Sequence, residues 1–437
     1  MKTLARLLGG LSAVVSLTLL LPPRILARSQ LAIVSAIGGA LSPFVAFAGL
    51  LGSALGLLTR DTLATGLGAT GAGVATRHIA QNIQPHTEFE RVYGPNWPEH
   101  IPAHRRSGFL TARWAPNQRF NTSYVAVQRD VVVGTHVETN RPLLADLWTP
   151  PTHVARSGLT YLYLHGSAWH FLDKGFATDA TFAHLANQGH LVVDLAYTLA
   201  PEANIIEMQH DVKRAIHYLK THADDLQIDP DRIVLAGGSA GGHLALLAGY
   251  TPTDARLRPA DLPLDADLTV CGIVSYYGFP DLITAQGWFE SISTSPLAGS
   301  EEQLKTTLDM LAKLANSDTP LYDPNSQLPI RTPADILPSA IGAPMHAAPA
   351  RWNLVSPINH VGDHCPPTLL LQGTADVGGM LPDARRLHRA LKQVGTTALL
   401  IEFPNSQHGF DLFFPQLSPA AHAALYDTER FLALLAR

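Results

Sequence analysis

The stretch Gly237-Gly238-Ser239-Ala240-Gly241-Gly242 decides the fold of this 437-residue chain. It has the form GxSxG and lies between a strand-like run, Arg232–Ala236, and a helix-forming run, His243–Leu247. A sharp strand-to-helix turn holds such a serine in a strained backbone conformation, and its neighbours must be small because a Cβ atom would clash there. The following helix directs its first amides and positive dipole end at the same point. The pattern predicts a nucleophile at Ser239 and an oxyanion donor at the amide of Ala240; a plain glycine-rich turn is the alternative.

From about residue 121 onward, short apolar or β-branched runs alternate with helix-forming runs. The runs predicted as strands are Tyr124–Val133, Leu143–Trp148, Leu159–Leu164, Leu191–Leu195, Arg232–Ala236, Val270–Tyr276, Thr368–Leu371 and Ala398–Phe403. This alternation predicts an α/β fold with a mostly parallel central sheet and helices on both faces, over residues 121–437. Residues 279–364 interrupt the pattern and are interpreted as a lid or pocket wall, with a helix at Glu301–Asn316.

Polar residues follow three other predicted strands at the ends where sites form in open α/β sheets. Leu159–Leu164 leads into His165-Gly166-Ser167-Ala168-Trp169, whose small residues allow the amides of Ser167 and Ala168 to approach a carbonyl oxygen. Thr368–Leu371 leads to Asp376, and Ala398–Phe403 leads to His408. A serine nucleophile needs a base, and the base needs an orienting acid. We therefore expect His408 to take the proton of Ser239 and Asp376 to stabilise the imidazolium.

Other carboxylates and imidazoles compete for these roles. Asp383 falls in the opening turn of a predicted helix, where N-terminal capping explains it, and Asp363 lies at the wrong end of its strand. The remaining candidate bases are interpreted as structural or solvated: His360, His364 and His388. The candidates for the wall of the substrate pocket are Trp169, His170 and Phe410.

Composition excludes several classes of protein. The formal net charge is −5, but residues 1–80 contain six basic residues and one acid, a charge of +5, so the other 357 residues carry −10. An acidic body does not suit a nucleic-acid-binding protein. Two cysteines exclude a disulfide scaffold and a CxxC zinc site, although pairing of Cys271 with Cys365 stays open. The histidines form no metal-binding motif, so no metal is expected.

The N-terminal 60 residues contain two uncharged runs, 7–21 and 31–58, on either side of Pro22-Pro23. A helix over the second run would be roughly 42 Å long, which exceeds the ~30 Å hydrocarbon core of a bilayer. We expect this segment to associate with a membrane; a buried helical pair, or a signal peptide over residues 1–27 of a secreted or periplasmic protein, is the alternative. Residues 61–120 are interpreted as a linker and lead-in. The side of the membrane and the oligomeric state stay open.

Residues 140–437 resemble the α/β-hydrolases of the esterase and lipase type, near the hormone-sensitive-lipase-like and feruloyl-esterase-like carboxylesterases. The resemblance rests on HGSAW at 165–169 for the family's HGGGW, YTLAPE at 197–202, GGSAGGHLA at 237–245, Asp376 and HGF at 408–410. The order Ser239, Asp376, His408 is that of the family. An apolar N-terminus on such a domain is similar to isoprenylcysteine methylesterases.

The resemblance implies a serine hydrolase that cleaves carboxylic esters, of small molecules or lipids, through an acyl-enzyme without a cofactor. Departures from the family pattern are Ser167 and Ala168 for two glycines, Gln372 for a common histidine and Thr198 for an arginine. They bear on substrate preference more than on the reaction. Two other hypotheses stay open, namely an amide or formamide hydrolase on the same residues and a non-catalytic, membrane-tethered binding protein.

Overall fold

A twisted sheet of eight strands forms the centre of the protein in a computed structural model that describes residues 1–27, 29, 31–106, 108–137, 140–166, 168–293 and 330–436. The strands are β1 (Ala126–His136), β2 (Arg141–Thr149), β3 (Thr160–Leu164), β4 (Leu191–Ala196), β5 (Ile233–Gly238), β6 (Gly272–Tyr276), β7 (Thr368–Gly373) and β8 (Ala398–Phe403). Their order across the sheet is β1-β2-β4-β3-β5-β6-β7-β8. β2 is antiparallel to both β1 and β4. The other six strands, β3 to β8, are parallel to one another. The predicted α/β fold is confirmed.

Helices cover both faces of this sheet and separate its strands along the chain. The helices of the N-terminal part are α1 (Lys2–Thr18), α2 (Pro23–Leu26), α3 (Leu31–Ala40), α4 (Ser42–Leu58), α5 (Thr62–Ile83), α6 (Glu88–Tyr93) and α7 (Ala103–Arg106). Those between the strands and after them are α8 (Asp179–Ala186), α9 (Ile205–Thr221), α10 (Ala223–Leu226), α11 (Ala240–Tyr250), α12 (Leu282–Ser293), α13 (Ile336–Ile341), α14 (Pro349–Leu354), α15 (Leu381–Gln393) and α16 (Pro419–Leu435). Short 3₁₀ turns lie at Trp97–His100, Ala255–Leu257, Pro333–Asp335 and Pro357–His360.

Two buried apolar clusters hold these helices on the sheet. One joins the inward faces of α9, α11 and α15 to the sheet through residues such as Val212, Leu244 and Leu387. The other joins α8 and α16 to the opposite face through Phe182 and Phe431. Burial on both faces explains why the central strands read as continuous apolar runs in the sequence.

The N-terminal helices depart from the sequence predictions in two places. The run 31–58 is not one helix, because α3 and α4 meet at an angle of 87°. Leu41 (φ −94°, ψ 17°) interrupts the helix, and Pro43 has no amide to continue the hydrogen-bond ladder. Residues 62–83, interpreted as part of a linker or as a loosely packed helix, form the long helix α5, which packs closely on its neighbours. Its N-terminus is capped by Asp61, which accepts a 3.1 Å bond from the amide of Ala64.

Helices α1, α4 and α5 pack against one another as a three-helix unit. Glycines make this close approach feasible: a Cβ on Gly52 would lie 2.5 Å from the amide nitrogen of Gly9, and one on Gly68 would lie 2.4 Å from the carbonyl oxygen of Gly49. Ser16 of α1 adds a 2.9 Å hydrogen bond to the carbonyl of Gly71 in α5. Within the described residues no single helix has the length and apolarity to cross a membrane, although α3 and α4 taken together, with their bend, meet that test.

Part of the insertion between β6 and β7 packs over the carboxyl edge of the sheet. Trp288 of α12 donates a 2.9 Å hydrogen bond to the carbonyl of Val377, which lies in the loop after β7. The predicted helix Glu301–Asn316 lies outside the described residues. The described remainder of the insertion, residues 330–364, returns to the sheet through α13 and α14.

Candidate active site

Ser239 lies at the turn between β5 and α11, where the chain reverses direction within one residue. Its backbone has φ 55° and ψ −119°, a strained combination for a residue with a side chain. The turn requires glycine at two positions. A Cβ on residue 241 would lie only 1.9 Å from the carbonyl oxygen of Leu164, and a Cβ on residue 237 would lie 2.6 Å from the same atom. The small residues of GGSAGG are therefore a steric requirement of this turn.

The side chains of Ser239, His408 and Asp376 form a continuous hydrogen-bonded chain. Nε2 of His408 lies 2.8 Å from Oγ of Ser239, and its Nδ1 lies 2.9 Å from Oδ1 and 3.1 Å from Oδ2 of Asp376. An ionised carboxylate only accepts hydrogen bonds, so Nδ1 carries the proton and Nε2 accepts from the serine hydroxyl. This tautomer is the one that a serine nucleophile requires of its base.

Asp376 is buried and has every part of its carboxylate engaged. The amide of Gly378 donates a 2.6 Å bond to Oδ1, and the side chain of Gln372 donates a 2.7 Å bond to Oδ2. The side chain of His408 is 26% exposed. A buried acid and a base that reaches the surface are the arrangement that proton transfer to a bound substrate needs.

Two residues that the sequence analysis did not consider flank the imidazole. The ring centroids of Tyr277 and His408 are 4.6 Å apart, and the Tyr277 hydroxyl donates a hydrogen bond to Oδ1 of Asp411. Burial raises the pKa of Asp411 to about 6, against the lowering effect of the Tyr277 hydrogen bond. Tyr277 directly follows β6, so its position at the carboxyl edge of the sheet was a signal that could have identified it.

Opposing effects act on the pKa of His408. Burial lowers it, and the charge of Asp376, the hydrogen bond to Asp376 and the charge of Asp411 raise it. The raising effects outweigh burial, and the pKa lies above the ordinary value of 6.5. The site therefore favours the protonated imidazole of His408 more than water does.

The loop after β3 brings further backbone groups to the site. Ala168 and Trp169 both have positive φ, 50° and 64°, and Gly166 approaches so closely that a Cβ there would lie 3.1 Å from Cβ of Ser239. Ala240 is the first residue of α11, where the amides have no partner within the helix. The predicted oxyanion donors Ala168 and Ala240 thus lie on the two segments that adjoin Ser239; the third, Ser167, lies outside the described residues.

Two of the predicted pocket residues have buried side chains. Trp169 is fully buried, and its Nε1 donates a 3.2 Å bond to Nδ1 of His243. Phe410 is buried against Phe403, with ring centroids 4.6 Å apart. That these two rings form the wall of a substrate pocket stays a prediction.

His170 has a linking position instead. It is buried, and burial lowers its pKa to about 4, which leaves it neutral. Its Nδ1 donates a 2.6 Å bond to the carbonyl of Ala168, and its Nε2 lies 2.9 Å from Oγ of Ser339 in α13. His170 therefore joins the loop after β3 to the insertion.

The competing acid and base candidates lie apart from this chain of hydrogen bonds. Asp383 does not cap α15 as expected but pairs with Arg386 at 3.1 Å, because its side chain turns along the helix. Asp363 is exposed. The histidines bond to backbone carbonyls elsewhere: His360 to Leu354, His364 to Tyr250 and His388 to Ala398.

Comparison with known proteins gives matches to esterases and, over small parts of much longer proteins, to non-reducing polyketide synthases such as pkbA of Emericella nidulans, which is 31% identical over 28% of this chain and 5% of pkbA. Residues 145–327 match the BD-FAE family. The chain is 27% identical to the probable carboxylic ester hydrolase LipM of Mycobacterium tuberculosis over 70% of this chain and 60% of LipM, and 28% identical to esterase LipQ of the same organism over 72% of this chain and 64% of LipQ. It therefore spans about three fifths of the length of these relatives.

Among solved structures, a thermophilic esterase of Thermogutta terrifontis with propionate bound is similar, at 20% identity and a TM-score of 0.49, over 71% of this chain and 94% of that one. The order and direction of the strands and the strained serine after β5 are those of the α/β-hydrolase fold. On this evidence the chain has the α/β-hydrolase fold, and its sequence is similar to carboxylic ester hydrolases.

Proposed function

We propose that this protein hydrolyses carboxylic esters through an acyl-enzyme formed on Ser239. The observation that carries the proposal is the unbroken chain from Oγ of Ser239 to Nε2 of His408, at 2.8 Å, and from Nδ1 of His408 to the buried carboxylate of Asp376, at 2.9 Å. The names of the relatives LipM and LipQ support an ester as the bond cleaved.

The chemistry divides into two halves that use the same groups. In the first, Oγ of Ser239 attacks the ester carbonyl carbon while Nε2 of His408 takes the hydroxyl proton, and the carbonyl oxygen becomes an oxyanion held by backbone amides such as that of Ala240. The imidazolium then gives its proton to the departing alcohol, which leaves an acyl group on Ser239. In the second half, His408 activates a water that attacks the acyl carbon, and the acid departs as Ser239 regains its proton.

Active-site labelling tests this assignment directly. We expect a fluorophosphonate probe to label the wild-type protein at Ser239, and p-nitrophenyl esters to be hydrolysed at a rate that Ser239→Ala lowers at least a thousandfold. Ser157→Ala is a matched control, because Ser157 is also a buried, hydrogen-bonded hydroxyl but lies beside His190. Full turnover by Ser239→Ala would exclude the mechanism.

The nature of the scissile bond needs a second comparison. We expect matched p-nitrophenyl esters to be cleaved much faster than the corresponding p-nitroanilides, over a series of acyl chain lengths. Preference for the anilides would favour the amide hydrolase instead. Failure of the probe to label folded protein would favour a non-catalytic binding protein.

We further propose that the outer face of α1 and α4 rests on a lipid bilayer. Large apolar side chains with roughly half to three quarters of their surface exposed line this face, among them Leu7, Leu11, Val14, Phe44, Phe47, Leu50 and Leu57. Exposed apolar patches of this extent mark interaction surfaces. Lys2, Arg24 and Arg60 are exposed in the same N-terminal unit, where they attract anionic headgroups.

Flotation with phosphatidylcholine and phosphatidylglycerol vesicles tests membrane binding. We expect the wild-type protein to float with the vesicles and Phe47→Glu to weaken this binding, because a carboxylate would enter the apolar phase. Leu264→Glu, at a position 93% exposed on the sheet-containing part, is the matched control and should bind as the wild type does. Wild-type protein that stays out of the lipid fraction would contradict the proposal.

A further inference from the structure

The C-terminal end of α5 is hydrogen-bonded to the segment that carries His408. Nδ2 of Asn82 donates a 3.0 Å bond to the carbonyl of Pro404, and Oδ1 of Asn82 accepts a 3.0 Å bond from the hydroxyl of Ser406. Both Asn82 and Ser406 are nearly fully buried, at 1% and 3% exposure. Through these two bonds, an N–H group and the carbonyl oxygen of the Asn82 side chain both bond to residues within four positions of His408.

A second link runs from α3 to the same segment. Nε2 of Gln407 donates a 3.3 Å bond to Oγ of Ser35, and both residues are buried. Gln407 directly precedes His408. Two of the N-terminal helices, α3 and α5, therefore contact the segment that precedes His408, at residues 404, 406 and 407.

The opposite side of this segment is tied to the loop that carries Asp376. The amide of Ala375 donates a 3.1 Å bond to the carbonyl of Ser406, and the amide of Asn405 donates a 2.8 Å bond to Oγ1 of Thr374. Asn405 also has a positive φ of 56°, a left-handed conformation that asparagine adopts more readily than most residues with a side chain. The segment is thus held between the acid loop on one side and the N-terminal helices on the other.

We propose that Asn82 is a positioning residue for His408, so that the N-terminal helices form part of the working active site. The inference rests on the proposed function and deepens it. Without Asn82, the carbonyl of the half-buried Pro404 and the buried hydroxyl of Ser406 lose these partners, and the segment relaxes toward other geometries. A shift of about 1 Å in a catalytic group costs up to roughly a hundredfold in rate. Asn82 itself touches neither the substrate nor the reacting atoms.

Kinetics of the full-length chain test this role. We expect Asn82→Ala to lower kcat for a p-nitrophenyl ester by on the order of tenfold or more, with KM within about twofold of the wild-type value. Ser406→Ala should show a similar loss, Ser406→Thr should recover most of it because the hydroxyl is retained, and Ser406→Ala should add little in the Asn82→Ala background. Asn187→Ala is the matched control, since Asn187 is a buried asparagine that bonds to backbone carbonyls at positions 121, 123 and 183.

A readout independent of turnover separates this inference from the proposed function. The imidazole of His408 can be titrated by NMR in histidine-labelled protein, with its signal assigned by comparison with His408→Gln. We expect Asn82→Ala to lower the pKa of His408 toward 6.5, because the bond to Asp376 loosens, and Asn187→Ala to leave it unchanged. A raised pKa that falls in Asn82→Ala would support positioning even if the wild type cleaved no ester. Unchanged kcat and unchanged pKa in Asn82→Ala, with only lower thermal stability, would overturn the inference.

Discussion

Nε2 of Gln372 lies 2.7 Å from Oδ2 of Asp376 and donates a hydrogen bond to it inside the protein. The two residues are four positions apart at the end of β7, and both are about 1–2% exposed. A buried carboxylate needs such donors, because its charge is otherwise poorly compensated. Gln372 thereby supports the carboxylate that also bonds to His408.

Replacement of this donor should affect both stability and rate. We expect Gln372→Leu to lower the free energy of unfolding by about 1–3 kcal/mol, since an ionised acceptor loses one of its partners, and to lower kcat because the carboxylate is held less firmly. Gln209→Leu is the control: Gln209 is also buried and donates to a backbone carbonyl, that of Leu244. It should cost stability without a comparable loss of kcat. Equal effects of the two substitutions on kcat, measured beside chemical denaturation, would refute this role.

Asp376→Asn tests the role of the acid. An amide at this position can donate to Nδ1 of His408 and so favour the tautomer with the proton on Nε2, which cannot accept the proton of Ser239. We expect kcat to fall by roughly 10⁴, the magnitude seen for this change in a serine protease. The folded protein should retain fluorophosphonate labelling only at a greatly reduced rate. A loss smaller than tenfold would mean that another acid supports His408.

The pH dependence of kcat/KM should follow the ionisation of His408. Because the imidazole must be neutral to act as base and its pKa is raised, activity should increase with pH through an apparent pKa above 6.5. The charge of Asp411 contributes to this raised pKa. Asp411→Asn should therefore shift the rising limb to lower pH, whereas Asp225→Asn, a change at an exposed carboxylate, should not. An unshifted limb in Asp411→Asn would show that Asp376 alone sets the pKa.

Local sequence patterns predicted most of the sheet and the elements that carry the site. The prediction for β8 was correct at both ends, and that for β4 missed only Ala196, because apolar β-branched runs bounded by turn residues are a local signal. The position of Ser239 between β5 and α11 was also predictable, since the turn requires small residues on both sides of the serine and these are adjacent in the sequence, at 237–241. Strand order was not, because the exchange of β3 and β4 depends on crossovers rather than on local pattern.

Contacts between distant parts of the chain were beyond such patterns. Asn82 and Ser406 are 324 positions apart, and nothing near either residue indicates the other. The Gly- and Ala-rich composition of residues 62–83 suggested a linker or a loosely packed helix, yet these small residues are what allows α5 to pack closely on α1 and α4. Small side chains favour a loose chain in isolation and a tight interface when a partner helix is present.

Asp194 gives the protein a pH-dependent stability that is separate from catalysis. It is buried in β4, burial raises its pKa to about 8, and its Oδ2 accepts a 2.6 Å bond from the amide of Gly175. Between about pH 4 and pH 8 the folded state therefore binds a proton that the unfolded state has lost, so the free energy of unfolding should fall as pH rises. Asp194→Asn should remove the contribution of Asp194 to this slope, whereas Asp224→Asn, at an exposed position, should leave the slope unchanged. Parallel slopes for wild type and Asp194→Asn in urea denaturation at several pH values would contradict this.

Alanine substitutions at two glycines of the three-helix unit, Gly52 and Gly10, should have different effects on stability, because the two glycines differ in their surroundings. A Cβ on Gly52 would lie 2.5 Å from the amide nitrogen and 2.9 Å from Cα of Gly9, both backbone atoms that can move only if α4 and α1 separate. A Cβ on Gly10 would meet no atom within 4 Å. We expect Gly52→Ala to lower the thermal midpoint of detergent-solubilised protein, and Gly10→Ala to leave it unchanged or raise it, because alanine stabilises a helix by about 1 kcal/mol relative to glycine. If both substitutions stabilised the protein, α1 and α4 would not be in the close contact that the structure shows. The packing that holds α5, and with it the link from Asn82 to the segment before His408, would then lose its support.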